Sequence, residues 1–160
     1  MIRRILVAVD DSPPGVAAAR VAVALAGALH ARLCAVHVLQ DHLLSDMIAA
    51  TSSRPDVGRR RQAAAGSVLD HVRRLAETEP GLAVEGRLAE GELGPAILAE
   101  ARGWGADLVV VGRHSSTGPG EGRLGDAIPS VLEFAEVPVL VVPPPPPGAA
   151  GTDPPAGSTR

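Results

Sequence analysis

The sequence predicts an α/β protein of Rossmann-like kind: a single doubly wound, five-stranded parallel sheet with helices on both faces. Three observations carry this. Short, mostly aliphatic runs recur at Ile5–Val9, Leu33–Leu39 and Leu108–Val111, as expected of strands covered by helices on both faces. Between them lie segments whose apolar residues recur every three or four positions, the period of an amphipathic helix. Strand and helix signals alternate along the chain, which implies parallel strands joined by helices.

Ile5 to Val9 is the first predicted strand. Ser12 caps the first helix and Pro13 and Pro14 pre-set its φ, so the helix runs from there through Leu29. Leu33 to Leu39 is the second strand. A long connection from Gln40 to Gly58 follows, mixing polar, Met and Pro residues, of the kind that often lies over a binding site. Arg59 to Glu79 has helical spacing at Ala63, Val68, Val72 and Leu75, and Pro80-Gly81 is its predicted stop. Leu82 to Leu88 alternates as a weaker third strand. Gly91 to Gly103 is the next helix, with Pro95 in its first turn and Ile97, Leu98 and Ala101 on its inner face. The strand Leu108–Val111, a short helix over 126–135 containing Pro129, and a fifth strand Val137–Val142 complete a domain spanning 1–142. Five successive prolines begin at Pro143, and 143–160 reads as a Pro-rich flexible tail.

A chain of 160 residues suits one domain with one substantial core. Hydrophobic residues make up 46% and aromatics only 1%, so that core must be aliphatic; Trp104 and Phe134 are the only large rings. A formal charge of −3 argues against binding a nucleic-acid backbone, which calls for a basic excess. All 15 basic residues are arginine, so no lysine can be catalytic. The single cysteine, Cys34, sits in an apolar strand, where it reads as a small buried hydrophobe in a reducing compartment. Asp10 and Asp11 cut the first apolar run too short for a secretion leader. No apolar segment approaches the ~20 residues of a membrane span. A cytoplasmic protein without membrane contact is therefore expected.

The most informative stretch is ADLVVVGRHSSTGPGEGRLGD, ending at Asp126. A buried strand ends in Gly112, opens into a polar loop and reaches Gly125 where the next helix begins. Glycine leaves out the Cβ that would obstruct a ligand at each end. Free amides at the helix start, together with the positive end of its macrodipole, form an anion site.

With Asp10 in AVDDS and the His37-Val38 pair in AVHVL, this arrangement resembles the universal stress protein family, over about Ile2 to Val142. The family's nucleotide-binding members carry G-x-x-G, nine residues, then G followed by Ser or Thr. Here Gly112 and Ser115 occupy the first pair, nine residues run from Ser116 to Leu124, and Gly125-Asp126 close the pattern. The resemblance implies strand order 3-2-1-4-5 and a stress-response sensor that binds ATP or another adenine nucleotide, with Mg²⁺ as a companion of the phosphates. Carried over residue by residue, it implies that Ala8 and Asp10 border adenine and ribose, and that the Val38 main chain meets the adenine edge. Val111, Gly112, His114 and Ser115 would line the sugar and first phosphates, and Gly125, Asp126 and Ala127 the outer phosphates.

Two residue types depart from that pattern. Ser115 adds a Cβ where the family often has glycine, though its hydroxyl can still donate. Asp126 sets a carboxylate beside a polyphosphate, a repulsion on the order of 4 kcal/mol at about 4 Å and an effective dielectric of about 20. Asp is also a strong N-cap and can satisfy the helix amides itself. Arg113, His114 and Arg123 would offset the repulsion if they converge on the loop. The alternative keeps the fold without a nucleotide and acts through protein contacts alone.

An apolar last strand at a sheet edge is an open template for another chain, and the resemblance likewise implies a homodimer through Val137–Val142. The acidic opening RILVAVDDS also looks like a phospho-receiver domain, but the third strand ends in Arg87, Leu88 and Ala89 with no acceptor aspartate, and the required lysine is missing. No nucleophile elbow, Walker lysine or metal-ligand spacing points to an enzyme. A slow ATPase would be the limit of any turnover. His30, His42 and His71 read as surface positions, and His37 as a partly buried strand histidine.

Overall fold

A computed structural model of the chain describes residues 1–39, 56–113 and 127–144. In chain order the elements are β1 (Arg4–Ala8), α1 (Pro13–Leu29), β2 (Arg32–Leu39), α2 (Asp56–Ala76), β3 (Val84–Glu90), α3 (Leu93–Trp104), β4 (Leu108–Gly112), α4 (Ala127–Phe134) and β5 (Val139–Val142). The strands form one five-stranded sheet in the order β3-β2-β1-β4-β5, and every pairing is parallel. The fold class and the strand order are those expected. The order also removes the phospho-receiver reading, because receiver domains arrange their strands 2-1-3-4-5.

Strand alternation splits the core into two layers. Ile5, Val7, Leu33, Ala35, Leu108 and Val110 pack with α1 and α2 on one face. Leu6, Cys34, Val36, Val109 and Val111 pack with α3 and α4 on the other. This is why Ile5–Val7 and Leu108–Val111 show no polar side in sequence: each of these residues meets a helix layer. Helix α1 buries mainly alanine, at Ala18, Ala19, Ala22 and Ala26, so it lies close on the sheet. Of the two large rings, Trp104 is buried and Phe134 is 58% exposed.

Helix α1 begins where Ser12 accepts a hydrogen bond from the Gly15 amide at 3.1 Å, with prolines at its first positions. It ends at His30 in the left-handed conformation, φ 50°, a cap that glycine usually supplies. The expectation that α2 runs to Glu79 needs correction, since regular helix stops at Ala76. Beyond it the amides of Glu77, Thr78 and Glu79 reach back only three residues, to Arg74, Leu75 and Ala76, and the Thr78 hydroxyl donates to the Leu75 carbonyl at 2.8 Å. Tightened turns and a competing hydroxyl end the helix before Pro80 does.

The third strand lies two residues later than expected. Its register runs from Leu33↔Val84 to Leu39↔Glu90, while the Leu82 amide is held in a turn by Glu79. β3 earns its place through polar pairing. Glu85 accepts from Arg87 Nε at 2.9 Å, Arg87 Nη2 at 2.7 Å and Trp104 Nε1 at 3.0 Å. Arg87 also reaches Glu100 at 3.1 Å, and the Arg32 guanidinium lies 5.7 Å from the Trp104 ring centre. The two Arg87 bonds are the leading reason the Glu85 carboxyl is held below its usual range. His71 also differs from expectation: its Nε2 is buried with no hydrogen-bond partner among the described residues.

Candidate functional site

In a sheet of this order the crevice lies beyond the carboxyl ends of β1 and β4, where successive connections leave in opposite directions. Strand register puts Val7 beside Val110 and Ala8 beside Val36, so Asp10, Val38 and Gly112 all reach this one rim. Ala8, Asp10, Val38, Val111 and Gly112 thus lie at or beside the carboxyl ends of β1, β2 and β4, and Ala127 is the first residue of α4. His114, Ser115, Gly125 and Asp126 lie outside the described residues.

The Asp10 turn is tightly built. Its Oδ1 accepts from the Ser12 amide at 3.1 Å and the Ser12 hydroxyl at 2.5 Å, and that hydroxyl accepts in turn from the Gly15 amide. One serine therefore fixes the strand-end carboxylate and caps the helix that follows. Gly15 lies so close beneath it that a Cβ there would collide with Asp10 Oδ1.

Gly112 is a glycine for a reason other than the expected one. A Cβ at this position would meet the Pro14 carbonyl and come within 3.0 Å of the Gly15 amide, and its φ is not in the left-handed region. The start of α1 fills the space that a Cβ would take. Pro14 and Gly15 wedge between Asp10 and Gly112 and lock the two strand ends to one helix start. The next amide, of Arg113, donates to the Val142 carbonyl at 2.7 Å, so it extends the β4–β5 ladder and is not offered to a phosphate.

Two rim contacts leave no sign in the sequence. His37, partly buried in its strand as expected, has its Nδ1 2.8 Å from the Val9 carbonyl, a partner that the His37-Val38 pair does not reveal. Ser12 was read as a helix cap and gave no sign that it also grips Asp10. At the opposite, amino end of the sheet a cleft of about 440 Å³ is lined by residues including His30, Arg32, Pro80 and Trp104. Its Arg32, Glu85 and Trp104 already pair with one another. Asp107, also at that end, accepts the Arg3 and Arg4 amides at 2.8 and 2.9 Å, and the Arg3 bond is the main cause of its lowered carboxyl pKa. Among the described residues no group of three His, Cys, Asp or Glu side chains is placed to hold a metal, and no helix is long and apolar enough to cross a membrane.

A parallel sheet ordered 3-2-1-4-5, clad in helices on both faces and opening a crevice between β1 and β4, defines a doubly wound domain of the class that seats ligands at that crevice. Within that class the chain belongs to the universal stress protein family, whose profile matches residues 1–143. A family member from Burkholderia pseudomallei is 28% identical, with 90% of this chain and 97% of that one aligned at a TM-score of 0.66. A universal stress protein from Archaeoglobus fulgidus in complex with dAMP is 22% identical, covering 89% of this chain and 99% of that one at 0.63. A universal stress protein solved in complex with cAMP is 22% identical, covering 90% of this chain and 98% of that one at a TM-score of 0.68. These last two speak to the fold. A comparison with curated proteins finds no match.

Proposed function

We propose that this chain binds an adenine nucleotide at the β1/β4 rim and serves as a non-catalytic stress-response sensor in the cytoplasm. One observation carries the reading: Asp10 and Gly112 are locked to a single helix start, beside the tip of β2 that bears Val38. That rim has the layout in which doubly wound domains hold nucleotides, and relatives of the same fold have been solved with dAMP and cAMP. In this reading Ala8, Asp10 and Val38 take the purine and ribose. Val111, Gly112, His114 and Ser115 follow the sugar and first phosphates, and Gly125, Asp126 and Ala127 meet the outer ones. Mg²⁺ enters only as a counterion of a polyphosphate. Self-association through β5, at the sheet edge, belongs to the same proposal.

A second reading, the same fold acting through protein contacts without a nucleotide, draws on two features of the phosphate end. The Arg113 amide is committed to Val142, and a carboxylate stands at 126 where the family has a hydroxyl. Calorimetric titration of the purified chain with ATP, AMP and cyclic AMP separates the two. Saturable one-site heat with any of them supports the first reading, and its absence with all three leaves the second.

A further inference from the structure

His37 is a polar side chain at the rim that the nucleotide reading gives no contact with a ligand. In β2 it shares its side of the sheet with Leu33 and Ala35, while Val38 faces the other layer. Its Nδ1 lies 2.8 Å from the Val9 carbonyl oxygen. A carbonyl can only accept, so Nδ1 carries the hydrogen and donates it; in the neutral ring Nε2 is then the bare nitrogen.

The place of this bond gives it meaning. The β1–β2 ladder ends at Ala8↔Val36, with a last backbone bond from the Val9 amide to the Val36 carbonyl at 2.9 Å. In a parallel ladder the next partner of the Val9 carbonyl would be the Val38 amide. The imidazole takes that carbonyl at the point where the two strands part. Val9 is thereby held by its amide and its carbonyl at once, and the next residue is Asp10.

We infer that His37 is a positioning residue of the purine subsite: its Nδ1–H fixes the Val9 carbonyl, and with it the Asp10 turn, at a set spacing from Val38. This rests on the nucleotide reading and adds to it how the two sides of the purine contact are kept in register. A single neutral hydrogen bond of this kind translates into an effect on the order of fivefold to tenfold on affinity.

The test compares the full chain with His37→Leu, which keeps volume but loses the donor, and His37→Asn, which carries an N–H at nearly the place of Nδ1. AMP is titrated into each. The expected result is binding by His37→Asn within about threefold of wild type, and binding by His37→Leu weaker by about fivefold to tenfold. Equal binding by all three overturns the inference, and so does loss in His37→Asn equal to that in His37→Leu. If wild type binds none of AMP, ATP and cyclic AMP, the nucleotide reading falls. Hydrogen exchange at the Ser12 amide then decides the positioning claim: it should be faster in His37→Leu alone, and uniform exchange overturns it. Should His37→Leu not fold, the imidazole nitrogen spectrum of the wild-type chain must show the Nδ1–H tautomer, and an Nε2–H tautomer sinks the idea.

Discussion

Gly112 and Pro14 touch across the top of the sheet, with the Pro14 carbonyl standing where a Cβ on Gly112 would be. A strand-end residue and the first turn of a helix distant in sequence are thus fitted together by the absence of one methyl group. Gly112→Ala should destabilise the chain by about 1–3 kcal/mol, because the atoms in the way are backbone and cannot rotate aside. Gly66→Ala is the control. Among the described residues nothing lies within 4 Å of a Cβ there, so removing a glycine from helix α2 should stabilise by roughly 0.5–1 kcal/mol. Urea unfolding of both variants measures the contrast.

In the proposed nucleotide reading, which sets the outer phosphates of ATP at Asp126, Asp126→Ser should tighten ATP more than AMP. At about 4 Å and an effective dielectric of about 20 the repulsion removed is on the order of 4 kcal/mol. Calorimetry with both ligands checks it. An equal effect on the two, or none, would mean that the carboxylate does not face the phosphates.

Cys34 is fully buried, and desolvation first, then the nearby Glu85, push its thiol from 9.0 up to about 11. The folded chain therefore holds this proton more tightly than the unfolded chain. Stability contributed by the raised value is complete below pH 9.0 and is lost as pH climbs toward about 11. Full loss would amount to roughly 2–3 kcal/mol. Denaturant melts across that range should show the decline, and Cys34→Ala should flatten it. In the native chain at pH 8 the thiol should resist alkylation until denaturant is added.

Asp107 shows the opposite sign. Its carboxyl is held low, chiefly by the Arg3 amide, so its contribution is present above the unfolded value and disappears as pH falls through the folded one. Asp107→Asn keeps an acceptor for the amides of Arg3 and Arg4 but removes the titration. Its stability should depend less on pH than that of wild type in the acid limb, read by thermal unfolding between neutral and acid pH.

The β4–β5 ladder bonds to carbonyls of Pro138 and Val142, and by strand alternation the Val141 amide points away from β4 toward the open edge. Val141→Pro removes only that outward donor. If the chain pairs through β5, sedimentation should show wild type as a dimer and the variant as a folded monomer. A monomeric wild type, or a variant that still pairs, rules the edge out as the contact.

The sheet was legible because Ile5–Val7 and Leu108–Val111 are buried on both sides and cannot hide a polar residue. β3 was legible only in outline. Alternation repeats every two residues, so sliding Leu82–Leu88 onto Val84–Glu90 keeps the same pattern, and only pairing with β2 fixes the frame. The position of Gly112 was readable but its reason was not, because Pro14 meets it only in the folded chain. The bonds of His37 and Ser12 stayed hidden for the same cause: a bond to a distant carbonyl or to a neighbouring carboxylate leaves no periodic trace.

Arg113 donates to Val142, which fastens the first peptide of the glycine loop to the last residue of the outermost strand. Free-energy coupling across such a joint is reciprocal by thermodynamic necessity. If the proposed ligand grips the loop and the proposed partner docks on that border, any coupling carried by this joint must be felt equally at both places.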